Sequence, residues 1–275
     1  LKLSQAKISV QNTGFLFGWG IFETMRAYKG FVYRLSDHIK RLSSSASFLR
    51  IPLPCSEKEI SQIVYQTLRI NDLQDAYIKI ILSGGTYSGK LSEPSTKYTL
   101  VVISRPISPF PDDWYEKGIS VTFSGIRRNS TSPLYQHKTL NFLENILAKR
   151  EAEEKGYQEA IFLNNQGYLT EGSVTNIFLV KKERLFTPSV DCGLLPGITR
   201  KAVFEICSHL GIPFEEGKFK PKDIWNADEV FLTNSIREIL PVIRINTHSV
   251  GDGKPGNITR LLMKEYRCQV SFSRK

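Results

Sequence analysis

Cysteine and histidine are scarce in this chain, with four of each in 275 residues. The cysteines stand at 55, 192, 207 and 268, and no pair has CxxC spacing, so no metal centre is expected. Low cysteine content and the lack of a secretory leader in the sequence, which opens on Leu1, fit a reducing cytoplasm. No apolar run approaches the ~20 residues of a membrane span, which argues against a membrane partner. Lysine and arginine outnumber the acids 37 to 27, yet they never form a run of five or more. That scatter, with no aromatic platform, argues against a dedicated nucleic-acid partner. A mild attraction for phosphorylated or carboxylate ligands is the safer expectation. Internal repeats and low-complexity tracts are also missing.

What is present is an ordinary globular balance, long enough for one large or two medium domains. VYRLSDHIKRLSSSASFLRI predicts a helix with Ser36 or Asp37 as N-cap and Ile39, Leu42, Ala46 and Leu49 on one face. EKEISQIVYQTLRIN repeats the pattern, and AYIKIILSGG and KYTLVVISRP read as short strands. Pro106 to Gly118 is dense in proline and turn residues and is the best linker. Beyond it come strand patterns in ISVTFSGI, EAIFLNNQGYLTEG, NIFLVKKERLFTP and EVFLTNS, with a hairpin turn at Asn165-Gln166-Gly167. Helices are expected at 139–155 and 199–210, the first with Leu140, Leu143, Ile146 and Leu147 as its apolar face. The expected architecture is an N-terminal α/β domain over 1–105, a linker over 106–118 and a C-terminal α/β domain over 119–275. A ligand cleft is expected between the two lobes.

Five features could carry chemistry, and each has a plain alternative. GLLPGITRKAV sets a Pro-Gly turn before a helix, where free N–H groups suit an anion or simply begin a helix. FLTNSIREI ends a strand at Thr233-Asn234-Ser235, another candidate anion turn or an ordinary cap. Arg41 has the fork that suits phosphate, or forms a surface ion pair. Glu171 ends a strand beside Gly172 and Ser173, or is simply solvated there, and Lys138 stands at the entry of a helix, where it is a candidate amine or an ordinary surface lysine. Together they supply an amine for a Schiff base, an acid for a ring nitrogen and a phosphate grip, the set that pyridoxal phosphate needs.

In order and spacing, from FGWGIFETMRAY to FLTNSIREILPV, the chain resembles the fold-type IV pyridoxal-phosphate enzymes, or class IV aminotransferases. YLTEGSVTNIFLVKKERLFTPSVDCGLLPGITR, residues 168–200, carries the resemblance most specifically. It implies a two-domain α/β (α+β) fold with pyridoxal 5'-phosphate in the cleft, a small amino substrate, and a homodimer. By position, it makes Lys138 the Schiff-base lysine and Glu171 the partner of the pyridine nitrogen. It gives Arg41, Ile198, Thr199, Thr233 and Asn234 to the phosphate.

Within that family, three features resemble 4-amino-4-deoxychorismate lyase, which releases pyruvate and 4-aminobenzoate. Thr24, a second catalytic candidate, matches a threonine near the lyase's cofactor. Phe142 stands where branched-chain aminotransferases carry a tyrosine, and cannot donate a hydrogen bond. TNSIREILPV resembles the lyase turn. Against these, Tyr77-Ile78-Lys79 resembles a carboxylate-binding segment of branched-chain enzymes, with Lys in place of Arg. Trp19 replaces a usual Asp. An aminotransferase acting on branched-chain or D-amino acids is therefore the alternative.

Overall fold

A computed structural model describes residues 3–91 and 97–272. The chain divides into two compact units, Leu1–Ile107 with His137–Asn141, and Ser108–Gln136 with Phe142–Lys275.

The first unit contains α1 (Thr13–Phe17), β1 (Gly20–Tyr28), β2 (Phe31–Val32), α2 (Leu35–Phe48), α3 (Glu57–Ile70), β3 (Ala76–Ser83) and β4 (Thr99–Pro106). Its strands form an antiparallel sheet in the order β2-β1-β3-β4. Strand alternation sends Ile21, Met25, Ala27, Ile78, Ile80 and Leu82 into a core with Ile39, Leu42 and Ala46 of α2 and Ile60, Val64 and Leu68 of α3. The opposite face carries Phe22, Thr24 and Arg26, paired with Ile81, Lys79 and Tyr77.

Ser56 and Glu59 close a capping box on α3. Neither expected residue caps α2. Arg34, left-handed at φ 54°, turns the chain into the helix early, and Asp37 pairs with the Arg34 guanidinium at 3.1 Å. Buried Leu35 anchors the first turn instead.

His137–Asn141 runs beside the part of β1 that short β2 does not cover. Phe22 N donates to Lys138 O (2.8 Å) and Leu140 N to Gly20 O (2.9 Å), with a bridge between Ile21 and Thr139. The helix expected from 139 therefore begins only at Leu143, because residues 138–140 give their backbone groups to β1.

The second unit contains α4 (Asp113–Glu116), β5 (Ile119–Arg128), α5 (Leu143–Glu154), β6 (Glu159–Asn164), β7 (Leu169–Gly172), β8 (Asn176–Lys181) and β9 (Arg184–Pro188). It continues with α6 (Ile198–Leu210), β10 (Phe214–Gly217), α7 (Pro221–Trp225), β11 (Glu229–Asn234), β12 (Glu238–Ile245), β13 (His248–Ser249) and α8 (Asn257–Phe272). The mixed sheet runs β10-β9-β8-β11-β12-β5-β6-β7, with β13 on β12. Apolar residues of β5–β8, β11 and β12 make its main core. The hairpin turn lies where expected: Gly167 takes φ 78°, and Asn164 Oδ1 accepts from Gln166 N and Tyr168 N.

The face that α5 buries differs from the expected one. Asn145, Ala148 and Ala152 are buried, while Leu143, Ile146 and Leu147 are 66%, 49% and 49% exposed. Small residues let α5 pack closely on β5 and β6. Asn145 is drawn inward by its bond to Ser173 O (2.6 Å).

Candidate active site

The first unit brings together Lys138, Arg41 and Thr24's strand. Lys138 is half-buried, and its Nζ lies 4.5 Å from the centroid of the Phe22 ring. Lys79 Nζ lies 4.4 Å from the same centroid. Thr24 is paired with Lys79 on that sheet face. Burial, and then the nearby Arg105 charge, push the Lys79 amine below its ordinary value.

Arg41 is not a surface ion pair. It lies on the core side, where its Nε and one terminal nitrogen donate to the two oxygens of Glu23 at 2.7 and 2.8 Å. His38 Nδ1 meets the same carboxylate at 2.7 Å. Burial would raise the Glu23 carboxyl, but the Arg41 charge and the bonds from Arg41 and His38 outweigh it and hold the group at about 2. Burial pushes the His38 imidazole down against the pull of Glu23, and the Arg41 and Lys138 charges add to that. His137, next to Lys138, stacks on Phe48 with centroids 4.1 Å apart and meets Ser45 Oγ at 3.0 Å.

The second unit gathers the candidate acid and the candidate anion turn. Glu171, near the end of β7, is buried, and Arg128 donates to one of its oxygens. Asn176 Nδ2 (3.1 Å) and Leu195 N (3.2 Å) donate to the other. Arg128 is 2% exposed and packed over the Phe162 ring at 4.2 Å. Three converging donors fix the direction of the Glu171 carboxyl group. Asn176 Nδ2 also donates to Leu195 O (2.9 Å), tying the acid to the loop before α6.

That loop ends at Gly197, the N-cap of α6, which makes no side-chain cap bond. A Cβ there would meet Asn176 Oδ1 at 2.0 Å, so the close approach requires glycine. Ile198 and Thr199 form the first turn of this 13-residue helix, and both are buried. Thr233 lies opposite Asn176 in the β8–β11 register, and its Oγ1 is buried without a hydrogen-bond partner.

The junction after Thr233 is a tight turn into β12, not a helix start. Asn234 spends its side chain on that turn: Oδ1 accepts from Ile236 N (3.0 Å) and Arg237 N (2.6 Å), and Nδ2 donates to Val174 O (3.1 Å). An uncapped helix start, a buried hydroxyl and a backbone approach that excludes Cβ fit a phosphate. The clamped carboxylate fits a pyridine nitrogen.

Residues 20–245 match the class IV amino-transferase family. The chain belongs to the class IV aminotransferases. These are pyridoxal-phosphate enzymes. A branched-chain-amino-acid aminotransferase of Escherichia coli is 32% identical, over 97% of this chain and 89% of the relative. An aminodeoxychorismate lyase of Bacillus subtilis is 31% identical, over 96% and 90%. The crystal structure of a T.th. branched-chain amino acid aminotransferase with pyridoxamine 5'-phosphate superposes with a TM-score of 0.93 at 27% identity, covering 98% and 91%. The mixed α/β architecture is thus that of the class IV enzymes, and the chain is a pyridoxal-phosphate-dependent enzyme of the aminotransferase and lyase group. Its relatives divide between transamination and elimination.

Two site residues escape sequence reading. Glu23 lies between Ile21 and Met25 at a core-facing position of β1, and a carboxylate there calls for a partner. Arg128 gives no such signal, because Arg127 stands beside it. Among the described residues no group of His, Cys, Asp and Glu could hold a metal ion, and no helix is long and apolar enough to cross a membrane.

Proposed function

We propose that this enzyme is a 4-amino-4-deoxychorismate lyase releasing pyruvate and 4-aminobenzoate. Lys138 would hold the cofactor through its amine, and the same amine would move a proton at the reacting carbon. Glu171, braced by Arg128 and Asn176, holds the proton on the ring nitrogen. Arg41, Ile198, Thr199, Thr233 and Asn234 grip the phosphate, Asn234 by shaping the turn. When bound, the cofactor supplies an electron sink for the pair released as a substrate C–H bond breaks.

Thr24 carries the choice of reaction. It shares a sheet face with Phe22, whose ring lies beside Lys138. In the elimination a ring C–H and a ring C–O bond break, and the departing enol gains a proton as it becomes pyruvate. A lysine base with a hydroxyl on the same face can take the first proton and deliver the second. Phe142, which cannot offer a phenol, supports the same reading.

The second reading is an aminotransferase using branched-chain or D-amino acids and a 2-oxo acid acceptor. Lys79 favours it, since a cation on this face suits a substrate carboxylate. A homodimer accords with the exposed Leu143, Ile146 and Leu147, and a cytoplasmic location with four free cysteines.

The test mixes loaded enzyme with aminodeoxychorismate, or with L- and D-amino acids without acceptor. Many turnovers to 4-aminobenzoate and pyruvate support the lyase. One stoichiometric conversion by an amino acid, reversed by a keto acid, establishes the aminotransferase and removes the argument from Thr24.

A further inference from the structure

We infer that Glu23 is a positioning residue that aims Arg41 at the cofactor phosphate. Glu23 is 1% exposed, on the core face of β1. Arg41 and His38 stand one turn apart on α2 and both reach it, at 2.7 to 2.8 Å. The side-chain bonds to both carboxylate oxygens fix the plane of the guanidinium, not merely its position.

The energetics point away from a purely structural purpose. Burying a carboxylate and a guanidinium together gives little advantage over apolar residues of similar size. The surrounding positions, Ile21, Met25, Ile39 and Leu42, show that this core accepts apolar side chains. The pair instead removes rotational freedom from a long side chain before any ligand arrives, so less is lost when an anion binds. The charged or titratable groups facing the pair are His38 on α2 and Lys138 on the segment beside β1. Glu23 balances the Arg41 charge, so Arg41's value to a phosphate is chiefly directional.

The inference rests on the proposed phosphate role of Arg41, and the test separates the two. Full-length protein is titrated with pyridoxamine 5'-phosphate and with pyridoxamine, neither of which forms the covalent link to Lys138. Glu23→Gln and Glu23→Asp are compared, the second keeping the charge but drawing the carboxylate back by one methylene. Each is expected to raise the Kd for pyridoxamine 5'-phosphate about tenfold, the size of one charge-assisted hydrogen bond, and to leave pyridoxamine within about twofold. In an Arg41→Gln background, Glu23→Gln should change neither.

Tighter or unchanged phosphate binding in Glu23→Gln, or normal binding in Glu23→Asp, would overturn the inference. So would equal weakening of both ligands, which is what general damage to the core produces. If Arg41→Gln alone leaves pyridoxamine 5'-phosphate binding intact, the phosphate role of Arg41 fails, and this inference with it. If Arg41→Gln weakens binding and the Glu23 variants do not, only the positioning role fails.

Discussion

Gly197→Ala should disable the phosphate turn and the acid together. Backbone strain is not the reason, because φ −69° and ψ 143° are open to alanine. The reason is the 2.0 Å approach of a Cβ to Asn176 Oδ1. Asn176 is 6% exposed and its Nδ2 is committed to Glu171 and Leu195 O, so it cannot retreat without giving up those bonds. One bond to a charged group and one to a carbonyl are together worth ~2–4 kcal/mol, or roughly 30- to 700-fold in an equilibrium constant. That loss should divide between apo stability and cofactor affinity. Equilibrium dialysis against pyridoxamine 5'-phosphate measures the second, and thermal unfolding of stripped protein the first. The double variant Asn176→Ala/Gly197→Ala should be less impaired than the sum of the singles, because the clash is gone. A Gly197→Ala protein with unaltered affinity and unaltered melting would refute the reasoning, as would strictly additive losses in the double variant.

Lys138→Ala should abolish turnover and the borohydride-fixed cofactor adduct, yet retain cofactor through the phosphate contacts; mass spectrometry after reduction reads both. Arg128→Met should leave Glu171 buried without its strongest partner, at ~3–5 kcal/mol, and lower the melting temperature by roughly 6–20 °C in calorimetry. Glu23 is held at about 2 against an ordinary 4.5, so its contribution is full above pH ~4.5 and is lost as pH falls through ~2. That is ~3 kcal/mol, and acid titration of Glu23→Gln should lack this component. Leu147→Glu should shift sedimentation toward monomer if the exposed face of α5 seats a second copy, and unchanged sedimentation would remove that face from the dimer proposal.

Much of the fold can be read from local pattern. Short runs rich in apolar and β-branched residues place β3, β4 and β6, and the Asn-Gln-Gly turn closes its hairpin as such residues should. Legibility falls where a choice depends on distant packing. Arg127 and Arg128 look equivalent in sequence, yet only Arg128 reaches Glu171. Strand alternation cannot pick between them, because the β5–β6 register shifts between Phe123 and Arg127. Glu23 is more readable: an acid at i+2 from Ile21 and i−2 from Met25 is a buried charge in a strand, and His38 and Arg41 lie three apart on the following helix. The α6 turn is legible because proline and glycine fix it locally. The Thr233 junction stays open in the sequence, because Thr, Asn and Ser serve helix caps and hairpins alike.

The segment from Gln136 to Gly156 shows why periodicity finds an apolar stripe but not what covers it. Leu140, Leu143, Ile146 and Leu147 recur at helical spacing, and a core-facing helix is the natural reading. The structure divides them. Leu140 belongs to the extended run beside β1, and the other three face outward from α5. Two demands outside the segment decide this. The backbone of 138–140 is taken by β1, which holds Lys138 outside a helix, beside Phe22. The close packing of α5 on β5 and β6 admits only small residues, so Ala148 and Ala152 turn inward. Such a mount suits the reactive role proposed for Lys138: the strand fixes its backbone, while a helix begins only five residues later. The same local pattern that hides the lysine's setting leaves a large apolar face exposed, and such faces in soluble proteins mark places where another surface docks.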